Sequence, residues 1–131
     1  MALLREYKEI AYQWGIWKTE ESPEELLVLL PDPERYEQQL TLFSSPHRKL
    51  EWLSVRVLLY QLLGEEKTIE YAPSGKPHLA DSSYFISISH TRGYVAVILS
   101  PVSEVGIDIE QYGQRVHKVA HKYIPCLLYT S

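Results

Sequence analysis

The fold turns on Tyr84-Phe85-Ile86-Ser87-Ile88-Ser89-His90-Thr91-Arg92-Gly93-Tyr94-Val95-Ala96-Val97-Ile98-Leu99. Residues 84–91 alternate apolar and polar side chains, the period-two signature of a strand with one covered face. Ile86, Ile88 and His90 then share that face. Arg92-Gly93 turns the chain, and residues 94–99 are nearly all apolar, as in a central strand covered on both sides. Residues 100–103 form a loop around Pro101, and residues 105–110 return as another strand. Consecutive strands with short links predict an antiparallel meander.

Upstream the period changes. Residues 9–19 read as a strand, with Ile10, Tyr12, Trp14 and Ile16 alternating on one face. Ser22-Pro23-Glu24-Glu25 announces a helix: Ser22 caps it, Pro23 takes the first helical position and Glu25 completes a capping box. That helix stops before Pro31, and Asp32-Pro33 restarts a short one toward Leu42. The longest helix begins with Ser45 as cap and Pro46 as opener, and Gly64 stands just past its end. Trp52, Val55, Leu59, Leu62 and Leu63 line it at helical spacing, a stripe that must dock on something to be stable. At about 100° per residue, Arg48, Lys49 and Arg56 fall within a quarter turn, so one flank is basic. Residues 68–72 form a short strand, Pro73-Ser74-Gly75-Lys76-Pro77 a turn cluster, and residues 114–124 the start of a helix. The expected class is α+β, an antiparallel sheet packed on a long helix.

A chain of 131 residues has room for one domain, hardly two. No apolar run approaches the roughly 20 residues of a membrane span, and the first residues are too short and too acidic for a secretory signal. One cysteine, Cys126, excludes an internal disulfide and a cysteine-rich zinc site, and a reducing, cytoplasmic location fits. Cys126 has no basic or capping surroundings and does not read as a nucleophile. Charge is uneven: residues 1–44 carry nine acids and four bases, a balance of −5, whereas residues 45–131 carry eight acids and nine bases, a balance of +1. No basic stripe suggests nucleic acid, but the second part is free to hold a small anion.

Several residues could carry chemistry. In Gly106-Ile107-Asp108-Ile109-Glu110, strand alternation turns Asp108 and Glu110 the same way, with Cα atoms about 6.6 Å apart. Two carboxylates at that separation can converge on a hard cation, and Mg²⁺ favours one or two carboxylates with waters and substrate phosphates. Taken alone, the triplet reads more simply as the wet face of an edge strand. His90, at a strand end, can donate to a phosphate oxygen or merely end the strand. Lys76, on a turn stiffened by Gly75 and Pro77, is a point charge held near a fixed place, or an ordinary surface lysine. Arg48 and Arg56 are a binding flank or a solvated helix face. No glycine-rich phosphate loop, nucleophile elbow or His-Glu-x-x-His string occurs.

The order of these elements is more specific than any of them. A basic helix, then Gly-Lys-Pro at 75–77, Ser-Ile-Ser-His-Thr at 87–91 and Gly-Ile-Asp-Ile-Glu at 106–110 resembles the 4′-phosphopantetheinyl transferase superfamily over about residues 40–124. The position of the last string, after a whole α/β lobe, resembles the surfactin-synthetase-activating type rather than the short holo-acyl-carrier-protein synthase type. The resemblance implies a transferase-like lobe that moves the phosphopantetheine arm of coenzyme A to a serine of an acyl or peptidyl carrier protein, releasing adenosine 3′,5′-bisphosphate. It implies Asp108 and Glu110 as catalytic Mg²⁺ ligands, and Lys76 and His90 on coenzyme A phosphates, His90 at the 3′-phosphate. Arg48 and Arg56 assist, and Ser89 and Thr91 neighbour the nucleotide. Neither nucleic acid nor membrane is an expected partner.

The resemblance also marks a departure. The family's long members have two similar lobes and a downstream Trp-x-x-Lys-Glu string, whereas tryptophan here occurs only at 14, 17 and 52. Residues 1–104 are therefore expected to form the first lobe, residues 105–124 the start of a truncated second one, and residues 125–131 a tail foreign to the family. A fragment of this kind is a transferase of weak activity, a non-catalytic half-site that holds coenzyme A or nucleotide, or a piece without a stable fold.

Overall fold

A computed structural model describes residues 3–112, 115–123 and 126–130. Its elements, in chain order, are β1 (Leu3–Lys8), β2 (Gln13–Lys18), α1 (Pro23–Val28), α2 (Glu34–Leu40), α3 (Pro46–Leu63), β3 (Ile69–Tyr71), β4 (Pro77–Leu79), β5 (Phe85–Thr91), β6 (Tyr94–Ser100), β7 (Val105–Tyr112), β8 (Arg115–Tyr123) and β9 (Cys126–Thr130). The class is α+β. The strands form antiparallel sheets in the orders β1-β2-β6-β5, β3-β4 and β7-β8-β9.

Local chemistry sets the helix ends. Ser22 and Glu25 exchange hydrogen bonds as a complete capping box at the start of α1. Ser45 Oγ accepts from the Arg48 amide to open α3, and Gly64 closes it at φ 74°, a left-handed conformation that glycine adopts without strain.

The four-stranded sheet separates two cores. On one side, Trp17, Ile86, Val95, Val97 and Leu99 pack with Leu53, Val57, Leu58 and Leu62 of α3. Gly15 of β2 allows this approach, since a Cβ there would come within 2.8 Å of Leu58 Cδ1. On the other side, Tyr12, Trp14, Ile16, Ala96 and Ile98 pack with Val105, Ile107 and Ile109 of β7. Each fully buried aliphatic side chain in such layers contributes about 1.5–3 kcal/mol.

Several elements depart from the reading of the sequence. β5 and β6 form the expected hairpin, but β7 does not continue the meander. The other edge of β6 is taken by β2, in register from Gln13↔Leu99 to Lys18↔Tyr94. β7 instead lies alongside β5 on the back of the sheet, where its three apolar side chains find cover. Strands β1 and β4 were not expected. The stretch expected as a helix at 114–124 is strand β8 over Arg115–Tyr123. It pairs with β7 from Val105↔Lys122 to Tyr112↔Arg115, because inter-strand hydrogen bonds to a neighbouring strand outweigh a weak local helical pattern. Gln114 and Ile124 lie outside the described residues. Of the tail, residues 126–130 form β9 against β8, and Pro125 and Ser131 lie outside the described residues. Among the described residues no helix is long and apolar enough to cross a membrane.

Candidate functional site: an arginine-lined cavity and a carboxylate strand

A cavity of about 510 Å³ opens between α3, the β3–β4 hairpin and the ends of β5 and β6. Arg48, Glu51, Trp52, Val55 and Arg56 reach it from α3, Tyr71, Gly75 and Pro77 from the hairpin, and Ile88, His90 and Val95 from the sheet. Arg48 and Arg56, two turns apart on α3, therefore meet His90 from β5 on one surface.

Arg56 is the unusual member. It is only 6% exposed. Its guanidinium lies 3.9 Å from the centre of the Trp52 ring, donates to the Trp52 carbonyl at 3.3 Å and reaches Tyr71 Oη at 3.5 Å. Burial depresses its pKa, opposed by the Tyr71 hydroxyl, yet an arginine retains its charge at neutral pH. Among the described residues no carboxylate lies within ion-pair distance of it. A buried cation costs several kcal/mol unless it is compensated, and cation–π and carbonyl contacts compensate only in part. A site of this kind is suited to an anion.

An aromatic lattice supports the arginines. The Tyr36 and Phe43 rings lie 5.8 and 5.9 Å from Trp52, and the exposed Arg48 lies over Phe43 at 5.6 Å. Tyr36 Oη donates to Glu66 Oε2 at 2.5 Å, and burial followed by that carboxylate raises the phenol pKa. Trp52, read from the sequence as core, does pack on the core, and it also forms the wall on which Arg56 lies.

His90 is the next-to-last residue of β5 and faces α3, in register with Val95. Its Nδ1 lies 2.8 Å from Glu51 Oε2. Sequence reasoning missed Glu51, although its place one helical turn from Arg48 and Val55 was a usable signal.

The remaining predicted residues lie elsewhere. Lys76 lines a second cavity of about 370 Å³, together with Phe85, Pro101 and Glu104, and its Nζ is 3.6 Å from Glu104 Oε1. Both side chains are largely exposed, so this pair contributes little to stability. Its neighbours Gly75 and Pro77 belong to the arginine-lined cavity. Ser89 faces the opposite side of the sheet, where Ser87 Oγ and Ser89 Oγ accept from the amides of Ile107 and Ile109 at 3.3 and 3.2 Å. These bonds lay β7 alongside β5. Thr91 pairs with Tyr94 at the hairpin turn.

Asp108 and Glu110 are exposed and share the face of β7 turned away from the sheet, since Val105, Ile107 and Ile109 occupy the other. Their oxygen donors and shared orientation suit a hard cation that completes its shell with water and phosphate. Among the described residues no cluster of three or more His, Cys, Asp or Glu side chains could hold a metal. Neither cavity is lined by Asp108 or Glu110. The cationic group and the carboxylate pair thus occupy opposite sides of the β5/β7 layer.

No protein-family model matches the chain. Curated proteins do. Over 64 residues it is 38% identical to the 4′-phosphopantetheinyl transferase AcpT of Salmonella typhi, and equally so to those of Salmonella typhimurium and Escherichia coli. The match takes in 48% of this chain and 33% of each relative, so it spans about a third of the length of these curated relatives. Over about half of its length, the chain is similar to 4′-phosphopantetheinyl transferases.

Proposed function

We propose that the chain forms the coenzyme A-binding face of a 4′-phosphopantetheinyl transferase of the surfactin-synthetase-activating type, with a carrier-protein serine as acceptor. The observation that carries this reading is the meeting of Arg48, Arg56 and His90 in one cavity. A buried arginine that has no carboxylate partner among the described residues calls for an anion, and coenzyme A carries a 3′-phosphate and a diphosphate. Arg56 and Arg48 hold the phosphate charge, His90 donates to the 3′-phosphate, and the apolar floor of Val55, Ile88 and Val95 excludes water from one side of the ligand.

In the reaction the serine oxygen forms a bond to the phosphorus on the pantetheine side. The bridging P–O bond breaks, adenosine 3′,5′-bisphosphate leaves, and the serine proton passes to solvent. The protein's part in such a transfer is positioning and charge neutralisation. Asp108 and Glu110 would hold Mg²⁺, which when bound neutralises the diphosphate. A ligand that uses both groups must turn over the outer edge of β5. Lys76, on the hairpin beside that edge, is placed to meet the diphosphate once released from Glu104.

A second reading, a half-site that binds nucleotide without transfer, is favoured by the absence of a third metal-ligating group among the described residues. One experiment separates the two. The chain is incubated with coenzyme A, Mg²⁺ and an apo carrier protein, and the carrier is weighed by mass spectrometry. A phosphopantetheine mass increment supports transfer. Calorimetric binding of adenosine 3′,5′-bisphosphate without an increment supports the half-site. Neither binding nor transfer overturns both.

A further inference from the structure

A carboxylate in an anion-binding cavity is a contradiction unless it has a task. Glu51 is the one acidic side chain among the described residues that line the arginine-lined cavity. Left to face an incoming phosphate, it would weaken binding through like-charge repulsion. It does not face inward alone: Oε2 lies 2.8 Å from His90 Nδ1 and 3.6 Å from His47 Nε2, and the side chain is 24% exposed. His90, by contrast, is 60% exposed near the end of an edge strand. A histidine ring has two nitrogens, and the partner of one decides the part played by the other.

We propose that Glu51 is a positioning residue for His90. It accepts a hydrogen bond from Nδ1–H, holds the imidazole plane against α3 and leaves Nε2 as the ring nitrogen presented to the ligand. With both ring nitrogens protonated, the imidazolium donates to the carboxylate on one side and to a phosphate oxygen of an anionic ligand on the other. This inference rests on the reading of His90 as a contact of the 3′-phosphate, and it adds a residue outside the Arg48, Arg56 and His90 set. The helix that supplies both arginines thereby also orients the histidine, which ties the three donors to one rigid element.

The test compares the chain with Glu51→Gln, Glu51→Leu and His90→Ala. Binding of adenosine 3′,5′-bisphosphate and of adenosine 5′-monophosphate is measured by calorimetry, and the ring nitrogens of His90 by two-bond ¹H–¹⁵N spectra. The unaltered chain shows a protonated Nδ1 at His90. Glu51→Leu lowers affinity for the bisphosphate about tenfold, the worth of one hydrogen bond to a charged group, and leaves the monophosphate unchanged. Glu51→Gln, whose carbonyl still accepts from Nδ1, restores most of the loss. Tighter or unchanged bisphosphate binding in Glu51→Leu, with His90→Ala weakened, overturns the positioning role alone. Unchanged binding in His90→Ala overturns the phosphate reading beneath it. Should Glu51→Leu fail to fold, a His90 ring without a protonated Nδ1 in the unaltered chain still refutes the proposal.

Discussion

The two halves of the candidate site are built in opposite ways. Asp108 and Glu110 project from a single strand into solvent, and their common direction follows from strand alternation, with Ile107 and Ile109 anchoring the other side. The arginine-lined cavity is assembled from α3, a hairpin and two strands, and Arg56 is held in it by Trp52 and Tyr71. The first half depends on local geometry and the second on the packed core. Substitutions in the first should alter chemistry without touching the fold, whereas those in the core that supports the second should affect both.

The largest effect is expected at β7. Asp108→Ala abolishes transfer, a loss of about 100-fold or more, the usual cost of one electrostatic partner at about 3–4 kcal/mol of barrier. Its thermal melt stays where it was, because the side chain is exposed. Unchanged turnover in the mass-shift assay removes the metal assignment.

Next comes the core against which α3 packs. Leu58 is fully buried and touches the position where Gly15 lacks a Cβ. Leu58→Ala should cost about 2–5 kcal/mol in urea unfolding and weaken nucleotide binding with it. A variant that unfolds earlier but binds adenosine 3′,5′-bisphosphate normally breaks the proposed link between core and cavity.

Arg56 sharpens the contrast. Arg56→Met exchanges a buried cation that its neighbours compensate only in part for an apolar side chain of similar length. Stability should change by less than about 1 kcal/mol, while affinity for adenosine 3′,5′-bisphosphate falls about tenfold or more. Strong destabilisation with intact binding would make Arg56 a structural residue.

The smallest effect concerns acid. Hydrogen bonds from Lys67, then from Ser83, hold the Asp81 carboxyl well below the ordinary carboxylate range. Its contribution is present above the unfolded pKa of about 4 and is lost as pH falls through the lower folded value. Asp81→Asn should therefore narrow the difference in melting temperature between neutral and strongly acidic buffer. An unaltered difference shows that the loop after β4, which borders the second cavity, does not depend on this contact.

What could be read in advance divides along the same line. The caps of α1 and α3 were legible because Ser22, Glu25, Ser45 and Gly64 act on backbone groups a few residues away. The β5–β6 hairpin was legible from alternation, a turn and an apolar run. Strand β7 was legible as a strand, but its partner was not, because that required knowing that β2 fills the edge of β6. The strand over residues 115–123 was misread, since its partner rather than its own pattern fixes its conformation. Glu51 escaped notice because its meaning depends on His90, a residue brought to it by the docking of helix on sheet.

Composition, periodicity and motif order were enough to establish an α+β chain, its capped helix and a pair of acidic side chains pointing one way, since each of these depends on neighbours within a turn or a strand. Which basic residues meet, that Arg56 is buried without a carboxylate among the described residues, that Lys76 leans toward Glu104, and that the carboxylates lie across the β5/β7 layer from the histidine are products of long-range packing. They depend on how two apolar layers cover one sheet, and no local spacing encodes that arrangement.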